Sequence, residues 1–214
     1  MKSLVAFVLN IFFPKFCCGC GTLETYLCPR CYNTISLIAL PLTLDLTERK
    51  IDEVYAVSHF EGTVRSLIHT LKYTGVRDVA HTIARFMYYV HTIETVDYIT
   101  AVPLHEHRFA ERGFNQSEEI AQELAHLLKK KYLPVLIREK YTQAQASLSD
   151  KIERQKNVAN TFVFVESYTE AITNKTILII DDVCTTGSTL NECATVLKKA
   201  GADRVTGLVL AHGN

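Results

Sequence analysis

The chain has 214 residues, 48% of them hydrophobic, which excludes a disordered chain and suffices for one good core with a small appended module. Its 23 lysines and arginines balance 23 acids, so no whole-protein field draws in a nucleic-acid polyanion, and any such contact is local. Five of the seven cysteines fall between Cys17 and Cys31, which is not disulfide-scaffold spacing and reads as a metal site in a reducing compartment, the cytoplasm.

In chain order, "MKSLVAFVLNIFFP" sets Lys2 before an apolar run that Asn10 interrupts and Pro14 stops. It lacks a small-residue cleavage site and falls short of the roughly 20 residues of a membrane span. The expectation is a short apolar helix docked on the protein; a processed signal and attachment to a membrane surface are the alternatives. Two Cys-x-x-Cys pairs follow, Cys17 with Cys20 and Cys28 with Cys31, separated by seven residues. Four thiolates so spaced suit tetrahedral zinc, and a site closed by four protein ligands is structural rather than catalytic. Gly19 and Gly21 give the turn its freedom. Cys18 lies one residue from Cys20, a poor ligand spacing, and reads as a bystander. Free buried cysteines are the competing reading. "LIALPLTLDLTERK", with Pro41 and a charged end, reads as a linker, which places a boundary near Glu48 between a module of residues 1–48 and a domain of residues 49–214.

From Val54 the pattern alternates. "VYAVSHF" predicts a strand, "GTVRSLIHTLKY" and "VAHTIARFMYYVH" predict helices, and "YITAVP" predicts a strand closed by Pro103. "NQSEEIAQELAHLLKK" begins with Asn115 at a capping position and ends on lysines, as the helix dipole favours. Lys129 to Lys131 are a solvated helix end rather than a DNA patch. "LPVLI" and "FVFV" are short strand candidates, and "KTILIIDD" is the continuous apolar strand of a parallel sheet. "TLNECATVLKKAG" is the next helix and "RVTGLVLAH" the last strand, so the class is a doubly wound α/β domain.

In such sheets ligands bind where a tight turn at a strand's carboxyl end feeds a helix. "IIDDVCTTGST", residues 179–189, lies at that place. Amides from Thr185 to Thr189, close approach at Gly187, the hydroxyls of Thr185, Thr186, Ser188 and Thr189, and a helix dipole make a phosphate cradle. Asp181 and Asp182 accept hydrogen bonds only, which suits the vicinal hydroxyls of a ribose, directly or through magnesium and its waters. Ribose beside phosphate points to a ribose 5-phosphate group. A buried strand with an ordinary helix cap and solvated aspartates is the alternative.

The same run, two acids after four apolar residues and then "TTGST", resembles the phosphoribosyl pyrophosphate signature of type I phosphoribosyltransferases. The zinc pairs, "FEGTVRSLIHTLKY", "RGFNQ", Thr142 to Gln145 followed by Arg154 and Asn157, and "DDVCTTGST" occur in the order seen in the ComF competence family. That resemblance implies a type I phosphoribosyltransferase-like parallel sheet flanked by helices behind a small four-cysteine zinc finger. It implies bound phosphoribosyl pyrophosphate with magnesium, and a role in uptake of single-stranded DNA during natural transformation. It also implies action on the cytoplasmic side of the inner membrane beside a helicase-like partner. The Arg138 to Asn157 stretch lies where related transferases carry a hood over the ligand, or is an exposed loop.

Val102 to Arg108 follows a strand and is expected to face pyrophosphate, with Arg108 and Arg112 neutralising it or standing solvated. Asn115 is expected at least to cap its helix. Lys72 either reaches the site or faces water. His105 and His107 are read as incidental rather than as proton carriers. An enzyme built on this site would displace pyrophosphate at the anomeric carbon, with magnesium bridging ribose hydroxyls and leaving group. No segment specifies a purine or pyrimidine, so three readings stand: a ligand-responsive DNA-uptake protein, a base-salvage transferase, and a zinc-ribbon DNA-binding module on an α/β scaffold.

Overall fold

The structure, a computed structural model, describes residues 14–73, 76–93, 95–139 and 161–213. The expected N-terminal apolar helix and residues 140–157 of the Arg138 to Asn157 stretch, expected as a hood or an exposed loop, lie outside the described residues.

A one-turn helix, α1 (Pro29–Tyr32), belongs to the cysteine module. Strand β1 (Glu53–His59) leads into helices α2 (Gly62–Tyr73) and α3 (Asp78–Val90). Strand β2 (Tyr98–Ala101) is followed by α4 (Glu106–Arg112), α5 (Gln116–Leu128) and the two-residue β3 (Lys131–Tyr132). A ribbon of β4 (Leu136–Arg138) and β5 (Phe162–Phe164) is antiparallel. The short helix α6 (Thr169–Ile172), strand β6 (Thr176–Cys184), helix α7 (Ser188–Lys199) and strand β7 (Arg204–His212) complete the described elements. The "LPVLI" segment therefore divides: the sheet's edge strand lies just before it, and its end joins the separate ribbon.

The main sheet has the order β1-β7-β6-β2-β3 and every pairing is parallel. Both faces are covered, which is why its strands are nearly continuous apolar runs. Leu178, Ile180, Leu208 and Leu210 point to the face holding α2, α3 and α5, while Ile177, Ile179, Val205 and Val209 point to the face holding α7. Burial of these branched side chains on alternating faces fixes the register, because a one-residue slip would exchange the two cores.

The expected linker is a strap. Leu37 bridges Ser58 in antiparallel fashion, Ile38 donates its N–H to Val57 O at 3.0 Å, and Leu42 donates to Val54 O at 2.7 Å. The strap thus covers the open edge of β1, which would otherwise present unpaired backbone groups. Pro41 has no N–H to offer and interrupts the ladder. Ile38, Leu42, Leu44 and Leu46 pack on the α7 face of the core. The strap is pinned by one side chain of α7: Asn191 Nδ2 donates to Glu48 O at 2.8 Å, and its Oδ1 accepts from Lys50 N at 2.7 Å and Ile51 N at 3.1 Å. Asn191→Ala removes all three bonds and is expected to cost about 2 kcal/mol, whereas Asn191→Asp keeps both acceptor bonds and costs less. Thermal unfolding of the two variants checks this order; equal midpoints would contradict it.

Candidate functional site

After β2 the chain moves toward β3, and after β6 it moves the opposite way toward β7, so the gap between β2 and β6 is the topological switch point of the sheet. Ligand crevices form outside the carboxyl ends of strands at such points. The last tie between the two strands is Val102 N to Ile180 O at 3.0 Å. Beyond it β6 keeps only β7 as a neighbour, with Asp181 opposite Val209 and Cys184 opposite His212. The strand does not end on the acids, as the sequence suggests, but carries them past the end of β2 and leaves one edge open.

"RGFNQ" builds the wall of this crevice. Gly113, with φ of 78°, ends α4 in the left-handed conformation, and Phe114 is buried beneath the turn. Asn115 caps α5 by accepting from Ser117 N at 3.1 Å, and its amide donates to Val102 O at 3.0 Å, tying the helix to the end of β2. Ser117 Oγ then donates to Asp181 Oδ1 at 2.8 Å. Ser117 was not singled out by any motif; only its place two residues beyond the cap marks it.

Asp181 Oδ1 also accepts from the Asp182 N–H at 2.9 Å. Burial, and then the charge of Asp182, push the Asp181 carboxyl up from an ordinary 3.8 to about 7, against the lowering effect of Ser117, the Asp182 N–H and Lys72. Asp182 is 4% exposed. Its Oδ1 accepts from Lys72 Nζ at 2.9 Å, so Lys72 reaches the site from the end of α2. Its Oδ2 is buried with no hydrogen-bond partner. A buried carboxylate oxygen in that state is costly.

The loop after β6 turns sharply. Gly187 has φ of 80°, and a Cβ there would lie 2.5 Å from Leu44 Cδ1, so both backbone conformation and the strap's close approach require glycine. Thr186 Oγ1 lies 2.8 Å from Ser188 Oγ and accepts from Ser188 N at 3.4 Å. Thr185 is exposed, while Ser188 and Thr189 are half-buried on the first turn of α7. The residues read as a phosphate cradle are thus contiguous at the helix N-terminus, beside the two carboxylates.

The arginines diverge. Arg108 is half-buried and lies close enough to Arg138, on β4, to act with burial in holding the Arg138 guanidinium below its usual range; Asp181 and Glu192 act in the opposite sense. Arg138 thus feels both the Arg108 guanidinium and the Asp181 carboxylate. Arg112 instead donates to Gln116 Oε1 at 2.6 Å and lies 5.8 Å from the Tyr73 ring centre. His105 caps α4, accepting from His107 N at 3.2 Å, and His107 pairs with Glu111 at 3.4 Å, which gives both histidines local structural partners.

Away from the crevice, the Sγ atoms of Cys17, Cys20, Cys28 and Cys31 all lie within 4.8 Å of one another. Those of Cys20 and Cys28 are 3.6 Å apart, against the roughly 3.8 Å edge of a zinc–thiolate tetrahedron with bonds of about 2.3 Å. Cys28 N lies 3.4 Å from Cys17 Sγ and Cys31 N lies 3.5 Å from Cys28 Sγ, so backbone N–H groups already point at the sulfurs. Thr22 holds the Cys20 thiol down at about 6, while burial and the adjacent thiols push Cys31 up to about 12. This donor set fits a metal ion such as zinc, which would replace the shared protons. Cys18 turns instead into the core on the α2 side, where burial raises its pKa. The module docks through a Lys15–Asp78 ion pair and a Tyr32–Phe86 edge contact at 5.4 Å. Among the described residues no helix is long and apolar enough to cross a membrane.

Two expectations follow. The unfolded chain releases the Asp181 proton near pH 4 and the native protein near pH 7, so the native state binds more protons in that window and loses stability as pH rises through it. Asp181→Asn removes this loss: by urea unfolding it should match the parent only at or below about pH 4, pull ahead as pH rises, and exceed it at pH 8, by a few kcal/mol at most on the order of the shift. No gain at pH 8 contradicts the account. Metal analysis should find one zinc per chain, retained by Cys18→Ser and lost by Cys28→Ser; retention by both would show a different ligand set.

A family profile described as the phosphoribosyl transferase domain matches residues 110–214. DNA utilization protein YhgH of Salmonella typhimurium is 31% identical over 188 residues, which cover 84% of this chain and 81% of that protein. Competence protein F of Haemophilus influenzae is 29% identical over 198 residues, 89% of this chain and 81% of that protein. Competence protein ComFC of Streptococcus pneumoniae is 34% identical over 104 residues, 49% of this chain and 43% of that protein. Among solved structures, the allosteric regulatory enzyme of purine biosynthesis aligns over 63% of this chain and 26% of its own, with 20% identity and a TM-score of 0.44. With the parallel sheet, the switch-point crevice and the four-cysteine cluster all in place, the chain belongs to the ComF family of phosphoribosyltransferase-like proteins.

Proposed function

We propose that this chain binds phosphoribosyl pyrophosphate with magnesium in the crevice between β2 and β6 and acts in uptake of single-stranded DNA during natural transformation. The names of its relatives, a competence protein and a DNA utilization protein, support the biological role. The observation that carries the ligand is the partnerless buried Oδ2 of Asp182 beside the Gly187 turn.

Each part of the ligand has a counterpart. Asp181 and Asp182 accept from the ribose hydroxyls, and the amides and hydroxyls of Thr185, Thr186, Gly187, Ser188 and Thr189 hold the 5-phosphate. Arg108 offers charge to pyrophosphate with Arg138 beside it, and Arg112 is one turn further along α4. Magnesium, when bound, would be held near Asp181 and Asp182 and would supply charge neutralisation for the pyrophosphate. The chain's own groups orient the sugar and hold its phosphate away from the anomeric bond, which supports ligand sensing and transfer chemistry equally.

Residues 1–48 form the module that carries a structural zinc, and residues 49–214 the ligand-binding domain. All seven cysteines are unbridged, in keeping with a reducing cytoplasm. There the protein would work at the inner face of the membrane with single-stranded DNA and a helicase-like partner.

Calorimetric titration of phosphoribosyl pyrophosphate and magnesium into the zinc-loaded protein tests the reading. Asp182→Asn and Thr186→Val should each weaken binding about tenfold or more, and should fail to restore DNA uptake to a Haemophilus influenzae strain lacking competence protein F. Absence of binding by the well-folded parent protein would overturn the proposal.

A further inference from the structure

Lys72 is the one cation placed directly on the sugar-binding carboxylates among the described residues, and its position suggests more than charge balance. It leaves the last turn of α2 and meets Asp182 Oδ1 at 2.9 Å with its side chain 22% exposed, so it is neither sealed in the core nor free in solvent. An ammonium has three donors, and the bond to Asp182 uses one. The other two lie next to the carboxylate whose second oxygen, Oδ2, has no partner.

Direction matters as well. The phosphate loop continues the chain beyond Asp182, through Val183 and Cys184, whereas Lys72 reaches Asp182 from the last turn of α2. Its neighbour Tyr73 lies under Arg112 at 5.8 Å, at the end of the helix that follows the loop from Val102. The ammonium thus sits beside a residue, Tyr73, that ties the end of α2 to the arginine closing α4. On a ribose held by its vicinal hydroxyls, the carbon that flanks the diol away from the 5-phosphate is the anomeric carbon.

Resting on the reading of the crevice as a sugar-phosphate site, we propose that Lys72 is its specificity-determining residue: paired with Asp182, it selects a ribose 5-phosphate that carries a diphosphate at the anomeric carbon over one that carries a hydroxyl. The cation rewards the anionic substituent, and it limits the benefit of a neutral one because Asp182 keeps its ion pair in either case. A lysine suits this task better than an arginine already committed to a flat two-point contact, since a flexible point charge serves carboxylate and diphosphate together. Asp182 would keep one oxygen for the sugar while the ammonium turns its remaining donors to the leaving group.

The test compares two probes, phosphoribosyl pyrophosphate and ribose 5-phosphate, each with magnesium, titrated into the full-length, zinc-loaded parent protein and its K72Q and K72R variants. Glutamine keeps a donor for Asp182 while removing the charge. The parent should prefer the diphosphate; K72Q should lose roughly 10- to 100-fold of that preference, its affinity falling more for phosphoribosyl pyrophosphate than for ribose 5-phosphate; K72R should retain much of it. Equal loss for both probes in K72Q would make Lys72 a support for Asp182 only and would overturn the inference. So would an unchanged preference. Failure of the parent to bind either probe would overturn the crevice reading and this inference together, which separates that result from the other two.

Discussion

Two adjacent carboxylates carried past the point where their strand loses one neighbour are the constraint on which the site depends. β2 stops at Ala101 while β6 runs on beside β7 to Cys184. Nothing in the packing of the core calls for acids there, and burial makes both of them expensive. The surroundings are arranged around that cost: Ser117 and a backbone N–H hold Asp181, and Lys72 holds one oxygen of Asp182 while the other has no partner. The elevated Asp181 pKa is the residue of the compromise, since full compensation would have returned it toward its ordinary value.

The same constraint explains the wall of the crevice. Asn115 serves two elements with one amide, capping α5 and closing the end of β2. That places Ser117 where Asp181 needs a donor. On the far side, Leu44 of the strap lies against Gly187, so the turn is shaped by a segment that begins at the cysteine module and runs along β1. The module, the sheet edge and the phosphate loop are in this sense one mechanical path.

Much of this was legible in the sequence for physical reasons. Apolar runs such as "ILII" and "GLVLA" suit strands covered on both faces, and the amphipathic runs between them suit covering helices, so the fold class followed from periodicity. The cysteine pairs and the glycine-centred hydroxyl cluster name their chemistry locally. The strap did not announce itself, because Pro41 and the charges around Glu48 look the same whether a segment crosses solvent or lies on an edge strand. The Lys72 to Asp182 pair, separated by 110 positions, and the convergence of Arg138 with Arg108 depend on tertiary placement that no local pattern carries. Arg112, conspicuous in its motif, turns to Gln116 and Tyr73 instead.

The central claim is that the partnerless oxygen of Asp182 and the turn at Gly187 hold two parts of one sugar phosphate. A crystal structure of the zinc-loaded protein grown with magnesium and phosphoribosyl pyrophosphate tests it most directly. The account predicts a ribose hydroxyl within hydrogen-bond distance of Asp182 Oδ2 and the 5-phosphate among the amides of Thr185 to Thr189. A ligand bound elsewhere, or an anion on the turn with Asp182 still bonded to Lys72 alone, would contradict it.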